Sequence, residues 1–266
     1  MEWQVYLDKF IERGSVNLIR YALFAGVPYV LFYVLLRSKV FRMKIQQKFP
    51  KTKDVTREMF YSVLSIGVFS IISMAFFAVI KGGYSKIYGD LSEYGTLYFA
   101  LSIPMLIILH DTWFYWTHRA LHWKPIFKHV HLVHHRSTDP TPWAAFAFHP
   151  LEAIVQGAYF PIIAMIIPVH PAAIVTWALY QFALNVGGHL GFALFPQGFP
   201  PTTLTRWHNT STHHNMHHKY FSCNYGLYFN VWDRLMGTNH AKYDEAFEEV
   251  CERRANGVEL SEPQSI

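Results

Sequence analysis

Residues 59–80 read MFYSVLSIGVFSIISMAFFAVI and contain no charged side chain over 22 positions. An α-helix rises about 1.5 Å per residue, so about 20 apolar residues are needed to cross the roughly 30 Å hydrocarbon core of a bilayer. This stretch therefore predicts a membrane-spanning helix, and the rest of the chain has to be organised around a bilayer.

The composition supports a membrane protein. The 266 residues are 52% hydrophobic and only 15% charged, whereas soluble proteins are about one quarter charged. Two more spans are predicted, at 18–36, with Arg20 near its start, and at 94–109. We expect kinks in these two helices at Pro28 and Pro104, because proline cannot donate a helical hydrogen bond.

Residues 154–190 are also apolar, but prolines interrupt them at Pro161, Pro168 and Pro171. This pattern predicts two helices joined by a turn at 168–171 rather than one long helix. The fold class is therefore expected to be all-α, a multi-pass integral membrane bundle of about four transmembrane units, one of them a helical hairpin.

Charge asymmetry predicts the orientation. Residues 37–58 carry eight Lys or Arg against two acidic residues, whereas 81–93 carries two of each sign. Short basic loops stay cytoplasmic, so we expect 37–58 to face lipid headgroups and the cytoplasm. From that loop the chain would cross outwards at 59–80 and back at 94–109, and the hairpin at 154–190 would return to the side it left. Every histidine-rich segment described below is therefore expected on the cytoplasmic face. Nothing in this charge run indicates a nucleic-acid partner.

Eight histidines fall in three short strings, which read HRALH at 118–122, HLVHH at 131–135 and HNMHH at 214–218. Side chains three and four residues apart lie on one face of a helix, so each string can present imidazoles to a metal. One tetrahedral site uses about four ligands. Eight candidates, with His189 as a ninth, therefore indicate two metal ions close together.

No carboxylate lies within this ligand spacing, which predicts an all-imidazole site. Imidazole suits iron, copper, nickel and zinc, so the spacing alone does not choose the metal. A metal site at the end of apolar helices is placed to meet a lipid, and oxidising a lipid C–H bond needs a redox metal, which zinc is not. Iron is the favoured metal and zinc the alternative.

The order of these motifs resembles the fatty acid hydroxylase / sterol desaturase superfamily over about residues 94–240. The residues that carry the resemblance are HDTWFYWTHR at 110–119, HLVHHR at 131–136, HPLE at 149–152, GHLG at 188–191, and HHNMHH at 213–218 followed by NYG at 224–226 and WD at 232–233. The order of the histidine motifs is far more specific than any one of them.

The resemblance implies a multi-pass membrane oxygenase with a histidine-ligated di-iron centre. Carried over residue by residue, it implies nine ligands: His118, His122, His131, His134, His135, His189, His214, His217 and His218. Fatty acid 2-hydroxylase relatives have a further histidine four residues before the last lone one, where this chain has Asn185. The tenth ligand is therefore open among Asn185, His110, His213 and a water or vacant position.

The remaining polar candidates have more than one interpretation. We expect Asp111, Glu152 and Asp233 either to orient ligand imidazoles or to pair with Arg119, Arg136 or Arg234. His149 is equally expected to bind a metal or to bond a backbone carbonyl or a ligand residue. Four histidines off the motif spacing are excluded as ligands: His129, His170, His208 and His240. The aromatic run 113–116 is interpreted as an interfacial belt in preference to a substrate pocket.

Three regions follow: an N-terminal anchor at 1–93 with two spans, a catalytic domain at 94–240, and a charged tail at 241–266, predicted to be a short exposed helix followed by disorder. The amino terminus shows no cleavage pattern, so the first span is expected to remain as an anchor. Cys223 and Cys251 are too few and too far apart to indicate a disulfide framework.

The expected activity is O2-dependent hydroxylation or desaturation of a lipid, with sterol and fatty-acyl substrates both compatible. The chain has no dinucleotide-binding glycine motif and no cysteine set for an iron–sulfur cluster, so an external ferredoxin or cytochrome b5 is the expected electron donor. The basic segment 37–57 is either a dock for that donor or a headgroup contact. The alternatives from other classes are a dizinc membrane hydrolase and a histidine-rich metal transporter.

Overall fold

The computed structural model describes residues 2–200 and 202–256, and within those residues the chain is helical. Isolated bridges are the only β-type pairing there, for example between Lys44 and Phe192. The predicted all-α fold is confirmed. The end of the predicted disordered tail, 257–266, lies outside the described residues.

Three helices are long and apolar enough to cross a membrane, at Trp3–Leu35, Thr52–Lys81 and Gly95–Leu121. The first consists of helix α1, Glu2–Tyr21, and its continuation to Leu35. We name the other two α2 (Thr52–Lys81) and α3 (Gly95–Leu121). All three predicted spans are present, but the first helix begins at Glu2, 16 residues before the apolar stretch that predicted it.

The two prolines act differently. Pro28 lies in a short α-helical segment, Val27–Tyr29, between π-helical turns at Ala22–Gly26 and Val30–Leu35. Proline lacks an N–H and crowds the preceding turn, and a wider turn on each side relieves that conflict. Pro104 lies inside α3, which is α-helical from Gly95 to Leu121 without a π-helical turn.

The predicted hairpin is present as α4 (Pro150–Gly157) and α5 (Tyr159–Ile166), a turn, and the returning α6 (Pro171–Gly188). Pro171 takes the first helical position of α6, where its missing N–H costs nothing, and the ring of His170 accepts from the backbone N–H of Ala172. The turn therefore returns the chain to the end of the bundle it came from.

The helices pack through aromatic side chains and close backbone contacts. Tyr21 of α1 stacks on Phe146 with ring centroids 5.9 Å apart. A Cβ on Gly157 would lie 2.7 Å from Cδ1 of Ile72 and 3.0 Å from Cδ1 of Phe69, so a larger residue there would force these side chains of α2 to move. These contacts join the hairpin to the first two spans.

All the histidine-rich segments and the basic segment 37–57 lie at one end of this bundle. The backbone N–H of Ile45 donates to the carbonyl of Gly191 at 3.0 Å. The ammonium of Lys44 lies 2.8 Å from a carboxylate oxygen of Asp139, and both side chains are buried. The expectation that the whole basic run faces headgroups is therefore wrong for Lys44, which ties this run to the second histidine string.

The C-terminal region also differs from its prediction. Helix α8, Tyr243–Ala255, was expected to be exposed, but it buries Tyr243, Phe247, Val250 and Cys251 against its neighbours. These side chains recur at intervals of four, three and one residues, which is one face of a helix. The remaining short helices at this end are Arg37–Val40, Phe41–Met43, Lys124–Phe127, Leu132–His135, Pro142–Phe146, Val231–Leu235 and the longer α7, Ser211–Tyr220.

Candidate metal centre

Four segments deliver the nine histidines that the sequence singled out. His118 lies in the last turn of α3 and His122 caps its end. The second string forms the short helix Leu132–His135 with His131 as its N-cap residue, and His189 caps the end of α6. The third string lies on α7, whose first turn is capped by the hydroxyl of Thr210, accepting from the N–H of His213.

The structure brings these nine side chains into two groups. One consists of His118, His122, His131, His135 and His217, and the other of His134, His189, His214 and His218. Within each group the candidate ligand atoms lie within 4.8 Å of one another. The four histidines excluded above because they lie off the motif spacing are in neither group.

Helix geometry explains how each HxxHH string is divided. Residues four apart differ by about 40° around a helix, whereas neighbours differ by about 100°. His131 and His135 therefore point to one group while His134 points to the other. On α7 the division is reversed, with His214 and His218 in the second group and His217 in the first.

The Nε2 atoms converge within each group. In the first, Nε2 of His135 lies 3.1 Å from that of His122, 3.1 Å from that of His131 and 3.0 Å from that of His217. In the second, Nε2 of His214 lies 3.0 Å from that of His189 and 3.1 Å from that of His218.

The Nδ1 atoms of four of the nine imidazoles bond backbone carbonyls, which fixes the tautomer of those four. A carbonyl can only accept, so an imidazole whose Nδ1 bonds a carbonyl carries its proton there and leaves Nε2 as a lone pair. The carbonyl partners lie at 2.6–2.9 Å: Tyr225 for His118, Cys223 for His217, Ser137 for His218 and Asn185 for His189. Facing Nε2 lone pairs repel unless a cation lies between them, so the donor set fits a metal ion in each group.

Burial reinforces this protonation state. Desolvation, followed by the charge of neighbouring imidazoles, holds the pKa of His131, His135 and His217 well below the ordinary histidine value. The same causes lower the pKa of His214 and His218. The imidazoles are therefore neutral at physiological pH, which is the form that binds metal.

A carboxylate supports the first group. Oε1 of Glu152, in α4, lies 2.8 Å from Nδ1 of His131, and both side chains are buried. Of the three predicted orienting carboxylates, Glu152 is the one that contacts one of the nine grouped histidines directly. Carboxylates in this position raise the basicity of an imidazole ligand and hold its ring.

The other two carboxylates bond backbone N–H groups rather than a grouped imidazole. Asp111 accepts from the backbone N–H of Tyr228 and of Phe229. Asp233 accepts from the N–H of Tyr225, the residue whose carbonyl bonds His118. Within residues 2–200 and 202–256, no ion pair joins Asp111, Glu152 or Asp233 to the arginines considered as alternatives: Arg119, Arg136 and Arg234.

None of the three side chains considered for a tenth ligand belongs to either group. The amide of Asn185 donates to the carbonyl of Ala145 at 2.9 Å. Nδ1 of His110 lies 2.7 Å from the hydroxyl of Tyr228, and Nε2 of His213 lies 3.7 Å from Asp233. The second group therefore has four imidazoles where the first has five.

The isolated histidines have local structural roles. His149 and His170 accept from backbone N–H groups at the starts of α4 and α6. His240 accepts from the N–H of Lys242, and Nδ1 of His208 bonds the carbonyl of Asn209. His149 lies in neither histidine group, and its Nδ1 caps α4 by accepting from the N–H of Leu151, a different contact from the carbonyl bond that was expected.

The aromatic run 113–116 is not a uniform interfacial belt. Trp116 is exposed, but Tyr115 is fully buried and Phe114 lines a cavity. The ring of Phe114 lies 5.0 Å from that of His118, and the ring of Phe148, across the cavity, lies 5.2 Å from that of His134. Phe114 and Phe148 therefore separate the imidazoles from this cavity.

The cavity has a volume of about 560 Å³ and is lined by residues of α1 to α6. Most of its lining is apolar, with Phe76, Phe160 and Ile174 among the side chains. This size and polarity are typical of a site for an apolar ligand. At Phe114 and Phe148 the cavity reaches side chains that contact one histidine of each group.

The sequence did not reveal the carbonyls that hold the imidazoles or the buried pair of Lys44 and Asp139. A carbonyl has no side-chain signature, and the pair joins residues 95 positions apart. The sequence held one signal for the turn after α7, the asparagine at position 224, since asparagine tolerates a left-handed backbone. Asn224 has a φ of 59°, and its amide donates to the carbonyl of His213.

The fold and site together define a helical membrane protein with two adjoining histidine groups, each able to hold a metal ion. The chain belongs to the fatty acid hydroxylase family, whose sequence model matches residues 103–238, just over half of its length. The matched region contains both histidine groups.

Among curated proteins, the chain is 33% identical to the lathosterol oxidase of Rattus norvegicus over 197 residues, which are 73% of this chain and 64% of the relative. It is 33% identical to a Delta(7)-sterol 5(6)-desaturase of Gibberella zeae over 240 residues, 88% of this chain and 72% of the relative. It is 28% identical to a Delta(7)-sterol 5(6)-desaturase of Schizosaccharomyces pombe over 262 residues, 96% and 84% of the two chains.

The chain spans less than two thirds of the lathosterol oxidases it matches, 64% of the rat protein and 61% of the human one. No solved structure matches it.

Proposed function

We propose that this protein is a membrane-bound, O2-dependent oxidoreductase that hydroxylates or desaturates a C–H position of a lipid at a centre of two iron ions. The observation that carries the proposal is the convergence of nine imidazoles into two groups, each with its candidate ligand atoms within 4.8 Å of one another, beside an apolar cavity of about 560 Å³. No observation favours a hydrolase or a transporter.

Iron held at the two groups would supply the redox chemistry that an unactivated C–H bond requires and that zinc lacks. Hydroxylation consumes one O2, two electrons and two protons, and yields one alcohol and one water. Desaturation consumes the same reagents, removes two hydrogens from adjacent carbons and yields two waters. The nine histidines are the proposed ligands: His118, His122, His131, His135 and His217 for one ion, and His134, His189, His214 and His218 for the other.

The chain's own part is to hold the ligands and to keep water from them. Glu152 and the carbonyls at Nδ1 fix the ring orientations. The rings of Phe114 and Phe148 cover the groups on the side of the cavity. A substrate in the cavity would thus approach through an apolar layer, which excludes bulk water from the reacting carbon.

The relatives' names supply the substrate class. They are named for lathosterol and for Delta(7)-sterols, so a sterol-type lipid is the first candidate. Two of them are desaturases by name, which favours desaturation over hydroxylation. In this arrangement residues 1–93 serve as the anchor, 94–240 as the catalytic domain and 241–266 as a C-terminal extension.

The two electrons would come from an external carrier of the ferredoxin or cytochrome b5 type. The histidine end of the bundle would then have to face the compartment that contains the carrier, which we propose is the cytoplasm. The basic segment 37–57 lies at that same end, and basic segments are retained on the cytoplasmic face.

Metal content is the first test. We expect about two irons per chain in tag-free, detergent-purified protein and fewer than one in a His134→Ala, His217→Ala double variant, which removes one imidazole from each group. A His208→Ala, His240→Ala double variant is the matched control, since it removes two histidines outside both groups. Metal that is unaffected by the first pair of substitutions would refute the proposed ligands.

Activity is the second test. Iron-reconstituted protein, a chemically reduced ferredoxin or cytochrome b5, and Delta(7)-sterols should give an oxidised product by mass spectrometry only when O2 is present. Zinc-loaded protein should be inactive. An oxidised product formed without O2, or by zinc-loaded protein, would refute the proposed O2-dependent chemistry of two iron ions.

A further inference from the structure

The first histidine group comes close to the protein surface at a place outside the cavity. Of the nine grouped histidines, His122 is partly exposed and the other eight are buried. Two half-buried rings lie over this part of the group: the ring centroid of Phe127 is 5.2 Å from that of His122, and that of Phe221 is 4.9 Å from that of His135. Neither phenylalanine lines the cavity. A single layer of rings therefore separates these imidazoles from the surface.

Phe221 has a backbone conformation that costs free energy. It follows α7 with a left-handed φ of 66°, at a position where helices most often have glycine. A bulky side chain in this conformation is strained, and such strain persists where the surrounding structure has a use for it. The ring contacts His135 and, at 6.0 Å, the ring of Phe127. The ring over the first group is therefore what this residue supplies, since glycine would make the turn more easily.

The surface around these two rings is positively charged. Residues 119–136 and 211–222 contain no Asp or Glu. Four exposed cations lie close in sequence to the rings or to the imidazoles that the rings cover: Lys124, Lys128, Arg136 and Lys219. Within residues 2–200 and 202–256 none of the four forms an ion pair. The first group is therefore reached through a cationic surface with aromatic rings at its centre.

The neighbouring regions at this end of the bundle have a different charge pattern. In the basic segment 37–57, Lys44 and Arg57 are each paired with an aspartate. On the other side, acidic side chains begin at α8, where Glu249 lines a groove together with Lys219. The unpaired cations around the two rings are thus bounded by regions in which charges are paired or mixed.

We propose that this surface docks an acidic one-electron carrier protein and that the carrier's electrons reach the first group past Phe127 and Phe221. We call it the docking surface and define it by these two rings and the cations around them: Lys124, Lys128, Arg136 and Lys219. Opposite charges steer two proteins together and fix their orientation. Aromatic side chains near the centre of an interface supply much of its binding energy, and Trp123, which is 65% exposed, adjoins this surface.

The carrier and the lipid would use different sides of the first group. Phe114, which lines the cavity, contacts His118, whereas the docking surface covers His122 and His135. Each reduced carrier gives up one electron and leaves oxidised, so two carriers dock in turn to supply the two electrons that one hydroxylation or desaturation consumes. In giving these electrons a destination, this inference rests on the proposed function.

The docking surface also lies beyond the apolar part of the bundle. The apolar stretch of α3 ends at residue 109, and the helix continues to Leu121, about 18 Å further along its axis. Lys124, Phe127 and Lys128 follow that end. A water-soluble carrier can therefore approach them from the cytoplasmic side proposed above.

Binding tests the docking surface without relying on turnover. Zinc-loaded protein, which cannot accept an electron, would be held in nanodiscs of zwitterionic phospholipid and titrated with two acidic probes, a ferredoxin and the soluble haem domain of a cytochrome b5. Basic cytochrome c is the control probe. We expect at least one acidic probe to bind, with an affinity that falls as the salt concentration rises, and cytochrome c to bind at least about tenfold more weakly.

Charge reversal locates the contact. Lys124→Glu combined with Lys128→Glu should weaken binding of the acidic probe by about tenfold or more. Lys51→Glu combined with Lys53→Glu is the matched control, because it reverses two exposed cations of the basic segment 37–57. The control should change the affinity by less than about threefold at physiological salt, since charges outside the contact are screened.

Phe221→Gly separates the ring from the fold. Glycine suits the left-handed turn, so this variant should unfold at about the temperature of the native protein. It should nevertheless lose about tenfold in affinity for the acidic probe, because it removes a central aromatic contact. Native affinity in a folded Phe221→Gly protein would overturn the proposed path past this ring.

Four further results would overturn the docking surface. They are the absence of binding by both acidic probes at low salt, equally tight binding of cytochrome c, equal losses in the two charge-reversal variants, and native affinity in the first of them. The last result would mean that Lys124 and Lys128 face lipid headgroups instead of a carrier.

The two proposals fail separately, because a small chemical reductant such as dithionite replaces the carrier. If iron-loaded protein oxidises a lipid with dithionite but carrier binding ignores the docking surface, the oxidoreductase stands and the docking surface is refuted. If the acidic probe binds through Lys124 and Lys128 but no lipid is oxidised with either reductant, the docking surface stands and the proposed function fails.

Discussion

Nδ1 of His131 lies 2.8 Å from Oε1 of Glu152, and both side chains are buried. The pair joins α4 of the hairpin to the second histidine string, so the membrane-facing hairpin and the proposed ligands position each other. Replacing Glu152 with alanine should lower the metal affinity of the first group by about 10- to 100-fold, because the ring of His131 loses its anchor.

Glu152→Gln keeps a hydrogen-bond acceptor and should lose less. Retention of iron during a timed chelator challenge measures both variants, and Glu249→Gln, on the C-terminal helix, is the control carboxylate. Identical retention by native protein and Glu152→Ala would show that the contact does not support a ligand.

The two groups should lose metal one at a time. His217→Ala removes a ligand only from the first group and His214→Ala only from the second, although the two residues are a single helical turn apart on α7. We expect each single variant to retain about one metal ion per chain, measured by inductively coupled plasma mass spectrometry. Loss of both ions from either variant would mean that the groups form one cooperative site.

Asn185 offers a way to test the composition of the second group. It lies four residues before His189 on α6, and so on the same helical face, but its amide bonds the carbonyl of Ala145 instead of joining the group. Asn185→His should add an imidazole and slow metal loss from the second group during chelation. Asn185→Ala, the control, should leave metal retention unchanged and cost about 1 kcal/mol of stability for the lost hydrogen bond.

The sequence predicted the spans well because apolar length is a local property. The 22 uncharged residues of 59–80 lie within α2, and the prolines at 168 and 171 frame the turn of the hairpin. The early start of α1 was missed because the first half of this helix is charged. Three of its cationic residues, Lys9, Arg13 and Arg20, line the cavity, and a local pattern does not predict that contact.

The histidine groups were predictable in part. The histidine spacing singled out eight of the nine residues, with His189 as a further candidate. Each string was expected to present its imidazoles on one face, whereas the structure divides both HxxHH strings between the two groups. The pairing of His131 with Glu152, the carbonyl of Tyr225 at His118, and the burial of Lys44 depend on contacts between segments distant in sequence. Such contacts are set by tertiary packing, which no local pattern encodes.

The thiol of Cys223 should be unreactive in the folded protein. Burial, and after it the charge of Asp233, raises the pKa of this thiol to about 12. An ordinary thiol forms the reactive thiolate from about pH 8.5, so between about pH 8.5 and 12 the unfolded chain loses a proton that the folded chain keeps. Stability should therefore decline as the pH rises through that range.

Alkylation with iodoacetamide at pH 9 measures this directly in a Cys251→Ser background. We expect Cys223 to react at least about tenfold more slowly than in the denatured protein. Equally fast alkylation would mean that the turn after α7, which also supplies the carbonyl for His217, opens readily in solution.

The buried pair of Lys44 and Asp139 should stabilise the histidine end of the bundle only as a pair. Removing one partner leaves a buried charge uncompensated, so Lys44→Ala should lower the free energy of unfolding by about 3–5 kcal/mol, whereas Lys44→Met combined with Asp139→Leu should cost much less.

Asp139 follows the second histidine string by four residues and also accepts from Asn215 of α7. Its displacement in Lys44→Ala should therefore lower metal retention as well, and the double variant should restore it in part. Thermal unfolding and the chelator challenge, applied to both variants, separate the two effects: a destabilised Lys44→Ala protein with native metal retention would show that the pair holds the fold together without positioning the ligands.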